Sequence, residues 1–236
     1  MLDKAITDSW IFFKRHFVML AVLMVPVLVP MQMVLALYVS PDVEQGVSLG
    51  NTFLMTLIGF VFYSLYMPAV IFYMASVVTG ERRSIAELYQ LALRWWIPFF
   101  VLLMLVMLSA AAGFLALIVP GIIIALKLVF AEFDMLLNGS KPVAAMKASW
   151  RLTKTCKGTL FGGYVIITLC IYVPFAIVSF ILGLYQVTHW GVEAFLSMLA
   201  SVCNVFYTIF AFRVYDMVIT DERDTQAQEP EPSPVG

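Results

Sequence analysis

Long apolar segments recur along the whole chain, and they constrain its fold more than any other feature. A helix needs about 20 apolar residues to cross a hydrocarbon layer of about 30 Å. Six segments reach or approach that length, at residues 17–38, 52–78, 96–116, 118–136, 159–184 and 195–212. With 62% hydrophobic and 12% charged residues, the composition is that of an integral membrane protein. The sequence therefore predicts an all-α bundle of six transmembrane helices.

The boundaries between these segments carry turn signals. The third and fourth segments are almost continuous, so a tight hairpin is predicted with its turn between Ala110 and Gly121. Asn138-Gly139-Ser140 is predicted to be the turn that ends the fourth segment. Residues 1–218 are predicted to form one transmembrane domain. Residues 219–236, which are acidic and proline-rich, are predicted to be a disordered cytoplasmic tail.

The distribution of Lys and Arg predicts the orientation. Basic residues accumulate in cytoplasmic loops, and 13 of the 14 here flank the segments on one side. The loops at residues 40–50 and 186–193 and the predicted hairpin turn contain no Lys or Arg. Both termini are therefore predicted to be cytoplasmic. The 13 residues are Lys4, Lys14, Arg15, Arg82, Arg83, Arg94, Lys141, Lys147, Arg151, Lys154, Lys157, Arg213 and Arg223.

Three cytoplasmic interfacial amphipathic helices are predicted to precede spans 1, 3 and 5. The first has an apolar face that includes Ile6 and Trp10, and the second has one that includes Leu88 and Ala92. The second begins with a capping box, Ser84-x-x-Glu87. "SWIFFK" at residues 9–14 and "SWRLTK" at residues 149–154 share a Trp-x-x-x-Lys pattern. That pattern is typical of a helix whose Trp lies at headgroup level while its Lys reaches lipid phosphate.

The third amphipathic helix carries the candidate headgroup site. Its apolar strip contains Val143, Met146 and Trp150, and a basic strip lies beside it. The residues predicted to hold anionic lipid headgroups are Lys147, Trp150, Arg151 and Lys154.

Lys127, Glu132 and Asp134 are the candidate polar residues inside the membrane. A charge at the depth predicted for Lys127 costs about 2.5 kcal/mol or more unless it is paired or reaches the interface. Glu132 lies about 140° around a helix from Lys127, so it is a poor partner, and Glu132 and Asp134 point to different sides. A structural role for Lys127 is favoured over a substrate or proton pathway. Enzymatic motifs such as HExxH and GxSxG are absent from the sequence, so no catalytic residue, metal site or cofactor is predicted.

Residues 118–166 resemble the YciC-like family of bacterial inner-membrane proteins, a group related to the membrane domain of some glycerophosphodiester phosphodiesterases. The matching features are Pro120-Gly121-Ile122, Lys127, the Ala145 to Arg151 segment with Ser149 and Trp150, and Leu152-Thr153-Lys154. The resemblance implies a six-span protein of the bacterial inner membrane with cytoplasmic termini. It implies no activity.

Two hypotheses for function follow. The first is a non-enzymatic, lipid-organising or envelope scaffold whose partners are membrane phospholipids and a further membrane or cytoplasmic protein. The second is a transporter of a small solute or ion that uses Lys127, with kinks at Pro26, Pro30 and Pro174. A net charge of −1 gives no basic field for nucleic acid, so no nucleic-acid partner is expected.

Overall fold

The computed structural model describes residues 1–38, 49–184 and 190–228, which form seven helices and no strand. This agrees with the predicted all-α class. It also agrees with the requirement that every backbone amide and carbonyl be hydrogen-bonded within the protein when lipid surrounds it. The helices are α1 (Leu2–Tyr38), α2 (Leu49–Thr79), α3 (Ile85–Ala116), α4 (Ile118–Leu128), α5 (Ala131–Asn138), α6 (Pro142–Leu184) and α7 (Trp190–Gln228).

Five of the described helices, α1, α2, α3, α6 and α7, are long and apolar enough to cross a membrane. Many of their large apolar side chains face outward, as do those of the turn between α3 and α4. Val18 on α1 is 74% exposed and Leu115 at the end of α3 is 89% exposed. Such a surface would be unfavourable in water but suits contact with lipid. The chain is therefore a multi-pass membrane protein.

The fourth predicted span differs from the sequence prediction. Residues 118–136 were expected to form one helix, whereas the structure divides this region into α4 and α5, with Val129 and Phe130 between them. At 11 residues, α4 is about 16 Å long and too short to cross the hydrocarbon layer alone. Gly139, in the left-handed conformation with φ of 69°, ends α5 as predicted.

The hairpin between α3 and α4 turns at Leu117, inside the predicted range. Leu117 is extended, with φ of −171° and ψ of 158°, and its amide donates to the carbonyl oxygen of Gly113. A β-carbon built on Gly113 would lie 2.9 Å from the α-carbon of Gly121. The two helices thus approach so closely that neither position has room for a side chain.

Of the three predicted amphipathic segments, only the third is set off from the span that follows it. Two of them continue into α1 and α3 without interruption, and only α6 has a break, where Cys156 has non-helical backbone angles (φ −120°, ψ 17°). Pro98 is accommodated inside α3, so that proline does not divide it. The predicted capping box at the start of α3 is present in full, joining Ser84 and Glu87 in both directions.

The core lies where α5 is enclosed by the long helices. Phe130 and Phe133 are almost fully buried, and both rings pack against Tyr215 of α7. Phe133 also meets Phe212 edge to face, with ring centroids 5.6 Å apart. Aromatic rings at the start of α5 thus pack against α7.

Some predictions fall on residues outside the described ranges. The first loop is described only from Leu49, and residues 185–189 of the fifth loop are not described. Helix α7 continues to Gln228, so the segment predicted to be disordered from residue 219 begins as helix. Residues 229–236 lie outside the described ranges.

Candidate functional site

Ser149 of α6 occupies the break between α4 and α5. Its hydroxyl donates to the carbonyl oxygen of Lys127 at 2.7 Å and accepts from the amide of Phe130 at 3.0 Å. The Thr153 hydroxyl lies 3.4 Å from the same carbonyl oxygen and donates to the Ser149 carbonyl oxygen at 2.8 Å. A side chain inserted into the helical hydrogen-bond ladder is a recognised cause of a kink. Ser149 therefore explains why the fourth predicted span is two helices.

The side chain of Lys127 lies against Trp150, one residue along from Ser149. Its ammonium nitrogen is 4.0 Å from the centroid of the indole ring, within the range of a cation–π interaction. The only ion pair among the described residues joins Arg83 and Glu81, so Lys127 has no carboxylate partner there. The interaction with Trp150 holds the charge in place while leaving it available to an anion.

A groove of about 410 Å³ runs between α4 and α6 and includes Lys127. A second lysine, Lys157, lines the same groove, and no carboxylate does. The remaining lining side chains are apolar apart from Thr153. Two lysine side chains thus contribute to an otherwise apolar groove. Its lining residues are Val119, Ile122, Ile123, Leu126, Lys127, Thr153, Lys157, Gly158, Leu160 and Phe161.

The predicted headgroup residues divide into two groups in the structure. Trp150 contacts Lys127 beside the groove, whereas the side chains of Lys147, Arg151 and Lys154 are exposed and do not line it. Lys157 lines the groove but is not among the residues predicted from the sequence. It follows Trp150 by seven positions, a spacing that returns to within about 20° of the same helix face, so the signal was present.

The two carboxylates on α5 have different hydrogen-bond partners. The Tyr63 hydroxyl of α2 donates to Glu132, with its oxygen 3.3 Å from Oε2 and 3.5 Å from Oε1. Asp134 is buried, and its Oδ1 accepts from Nδ2 of Asn138 at 2.8 Å. Asp134 Oδ2 has no hydrogen-bond partner among the described residues. Glu132 and Asp134 thus have separate partners, Tyr63 of α2 and Asn138 of α5.

Glu132 also lines a second cavity, of about 620 Å³, between α2 and α3. Apart from Glu132, Tyr63 and Thr56, the residues around this cavity are apolar. The bundle therefore has two cavities, one lined by basic side chains and one by an acidic side chain.

The described part of the chain contains no cluster of three or more His, Cys, Asp or Glu residues that could hold a metal ion. Comparison with protein-family models, with curated proteins and with solved structures found no match to this chain. Function must therefore be inferred from the residues and their contacts.

Proposed function

We propose that this chain is a non-enzymatic membrane protein that binds anionic phospholipid and organises lipid around it. The groove between α4 and α6 is the observation that carries the proposal, because it places Lys127 and Lys157 beside apolar walls. An acyl chain fits such walls, and a phosphate group complements two lysines with no carboxylate among the lining residues. The proposal includes membership of the YciC-like family and location in the bacterial inner membrane.

The contacts of Trp150 and Ser149 support a site of fixed geometry. Trp150 holds the Lys127 ammonium over its ring, and the Ser149 hydroxyl joins the Lys127 backbone to α6. The exposed Lys147, Arg151 and Lys154 add positive charge on the same helix. Each basic residue near an anionic membrane surface contributes about 1 kcal/mol of attraction to it. We assign recognition to Lys127 and Lys157, and general attraction to the exposed strip.

The transporter hypothesis would require a polar path to Lys127. The groove that Lys127 lines is apolar apart from the two lysines and Thr153, which suits lipid better than a hydrated solute. We therefore place lipid binding first.

Replacing Lys127 and Lys157 together with glutamine is expected to weaken binding of anionic phospholipid by about 2 kcal/mol, roughly thirtyfold. Glutamine removes the charge but keeps a long polar side chain. Native mass spectrometry measures the affinity for each phospholipid. The protein is extracted in a neutral detergent and titrated with phosphatidylglycerol and phosphatidylcholine. The loss should be confined to phosphatidylglycerol.

A matched control removes two basic residues elsewhere, with Arg82→Gln and Arg94→Gln, which should retain wild-type binding. The Lys147, Arg151 and Lys154 triple glutamine variant should show weaker attraction but keep selectivity for one tightly held anionic lipid. Equal retention of phosphatidylglycerol by wild type and the Lys127/Lys157 variant would refute the proposed groove site.

We also propose a topology of six crossings, in which α4 and α5 together form the fourth and both termini are cytoplasmic. Residues 118–138 would span about 31 Å at helical rise, enough to cross despite the break. The charge distribution supports this arrangement, because it leaves every Lys and Arg except Lys127 on one side.

Single cysteines on a background without Cys156, Cys170 and Cys203 test this topology. A cysteine replacing Leu117 is expected to react with a membrane-impermeant thiol reagent from the outside. Cysteines replacing Lys4, Lys141 or Arg223 should react only from the cytoplasmic side. If positions 117 and 141 are labelled from the same side, α4 and α5 do not cross and the six-span topology is wrong.

A further inference from the structure

The cavity between α2 and α3 has walls suited to a hydrophobic ligand. Its volume of about 620 Å³ lies within the range of about 300–1,000 Å³ typical of small-molecule sites. Phe60 and Tyr63 of α2 and Phe114 of α3 line it, together with aliphatic side chains of α3. The lining thus combines aromatic and aliphatic surface.

The cavity contains an acidic group without a basic partner among its lining residues. Glu132 is the one carboxylate that lines it, and no Lys or Arg does. The ion pair found among the described residues does not involve Glu132. The Tyr63 hydroxyl, at 3.3 and 3.5 Å, lies at or beyond the long end of hydrogen-bond distances, so the carboxylate oxygens can still accept stronger bonds. A carboxylate in apolar surroundings without a cation is costly, and a cationic ligand would offset that cost.

A second tyrosine ring lies beside Tyr63. The rings of Tyr63 and Tyr66 meet edge to face with centroids 5.7 Å apart. Aromatic faces attract cations, most strongly where water is excluded. A divalent metal ion would be poorly served, because Ca²⁺ requires six to eight oxygen ligands and Mg²⁺ six.

We propose that this cavity binds a lipophilic organic cation of the quaternary ammonium or phosphonium type. Glu132 neutralises the charge, Phe60 and Tyr63 contact the cation through their ring faces, and the α3 side chains contact its hydrophobic substituents. This site is separate from the α4–α6 groove and carries the opposite charge, so it takes a different class of ligand.

Equilibrium dialysis of the full chain in neutral detergent against tetraphenylphosphonium tests the proposal. Wild type is expected to bind it saturably, and Glu132→Gln to bind at least tenfold more weakly. Glu87→Gln is the matched control, because glutamine also completes a capping box and Glu87 lies outside the cavity. It should bind like wild type, as should the Lys127/Lys157 glutamine variant. Neutral triphenylphosphine oxide should be retained equally by wild type and Glu132→Gln.

Gly59→Leu provides a test that leaves the carboxylate intact. Gly59 lines the cavity, and a β-carbon there would meet no atom within 4 Å, so a side chain can start at this position without a clash. It should lower tetraphenylphosphonium binding at least tenfold while the protein stays folded. Absence of saturable binding by wild type, or equal binding by wild type, Glu132→Gln and Gly59→Leu, would overturn the proposal.

Discussion

Replacing Ser149 with alanine is expected to destabilise the protein by about 2–4 kcal/mol, because the buried Phe130 amide loses its partner and the Lys127 carbonyl oxygen loses its shorter hydrogen bond. Ser149 is fully buried, and its hydroxyl is hydrogen-bonded to both the Lys127 carbonyl oxygen and the Phe130 amide. Alanine keeps the β-carbon and introduces no clash. The loss is therefore that of the hydroxyl alone.

Thermal unfolding in detergent, followed by circular dichroism, measures the effect. Ser201→Ala is the control, because that hydroxyl donates only to the Ser197 carbonyl oxygen one turn earlier in its own helix. It should change the free energy of unfolding by less than about 0.5 kcal/mol. A Ser149→Ala protein as stable as Ser201→Ala would show that the hydroxyl does not join α6 to the break between α4 and α5.

The position of that break could not be read from the local sequence. The prediction of helices from hydropathy, of the turn near Leu117 and of the capping box at Ser84 rests on residues close together in the chain, and the structure contains all three. The break at Val129 and Phe130 arises from a hydroxyl about 20 residues further on. Residues 118–136 are apolar throughout most of their length, so pattern alone favours one helix.

The difference between contacts within one helix and contacts to another helix also applies to "SWIFFK" and "SWRLTK". The two segments have similar sequences but different contact partners. In α1 the Lys14 ammonium lies 4.7 Å from the Trp10 ring, so the Trp-x-x-x-Lys pattern forms a local pair. In α6 the partner of Trp150 is Lys127 from another helix. The Ser9 hydroxyl donates to its own helix at Ala5, whereas Ser149 donates to α4. Sequence similarity identified the pattern but not the helix that completes it.

Among the candidate sites, the charges could be identified from the sequence but their surroundings could not. Lys127 and Glu132 stand out in the sequence as charged residues next to apolar ones. They lie on different helices, α4 and α5, so the angle calculated for a single helix does not apply to them. Their openings lie on opposite sides of the α4–α5 region, one against α6 and one against α2 and α3. The two side chains line different cavities because other helices pack around α4 and α5. These tertiary contacts cannot be predicted from the local sequence.

Gly163→Leu is expected to separate α6 from α7 and to cost about 3 kcal/mol. A β-carbon at position 163 would overlap the ring of Phe210, which is fully buried and cannot move into free space. Gly183→Leu, on the same helix, is the matched control, since nothing lies within 4 Å of a β-carbon there. It should be neutral or stabilising, because leucine is a better helix former than glycine.

A double-mutant cycle identifies the cause of the loss. Phe210→Ala removes the ring that the new side chain would meet, so Gly163→Leu should cost less in that background than in wild type, by at least about 1 kcal/mol. Thermal unfolding of the four proteins in detergent gives the coupling. Additive effects of the two substitutions would mean that Gly163 and Phe210 do not meet. The close approach of α6 to α7 would then need another cause.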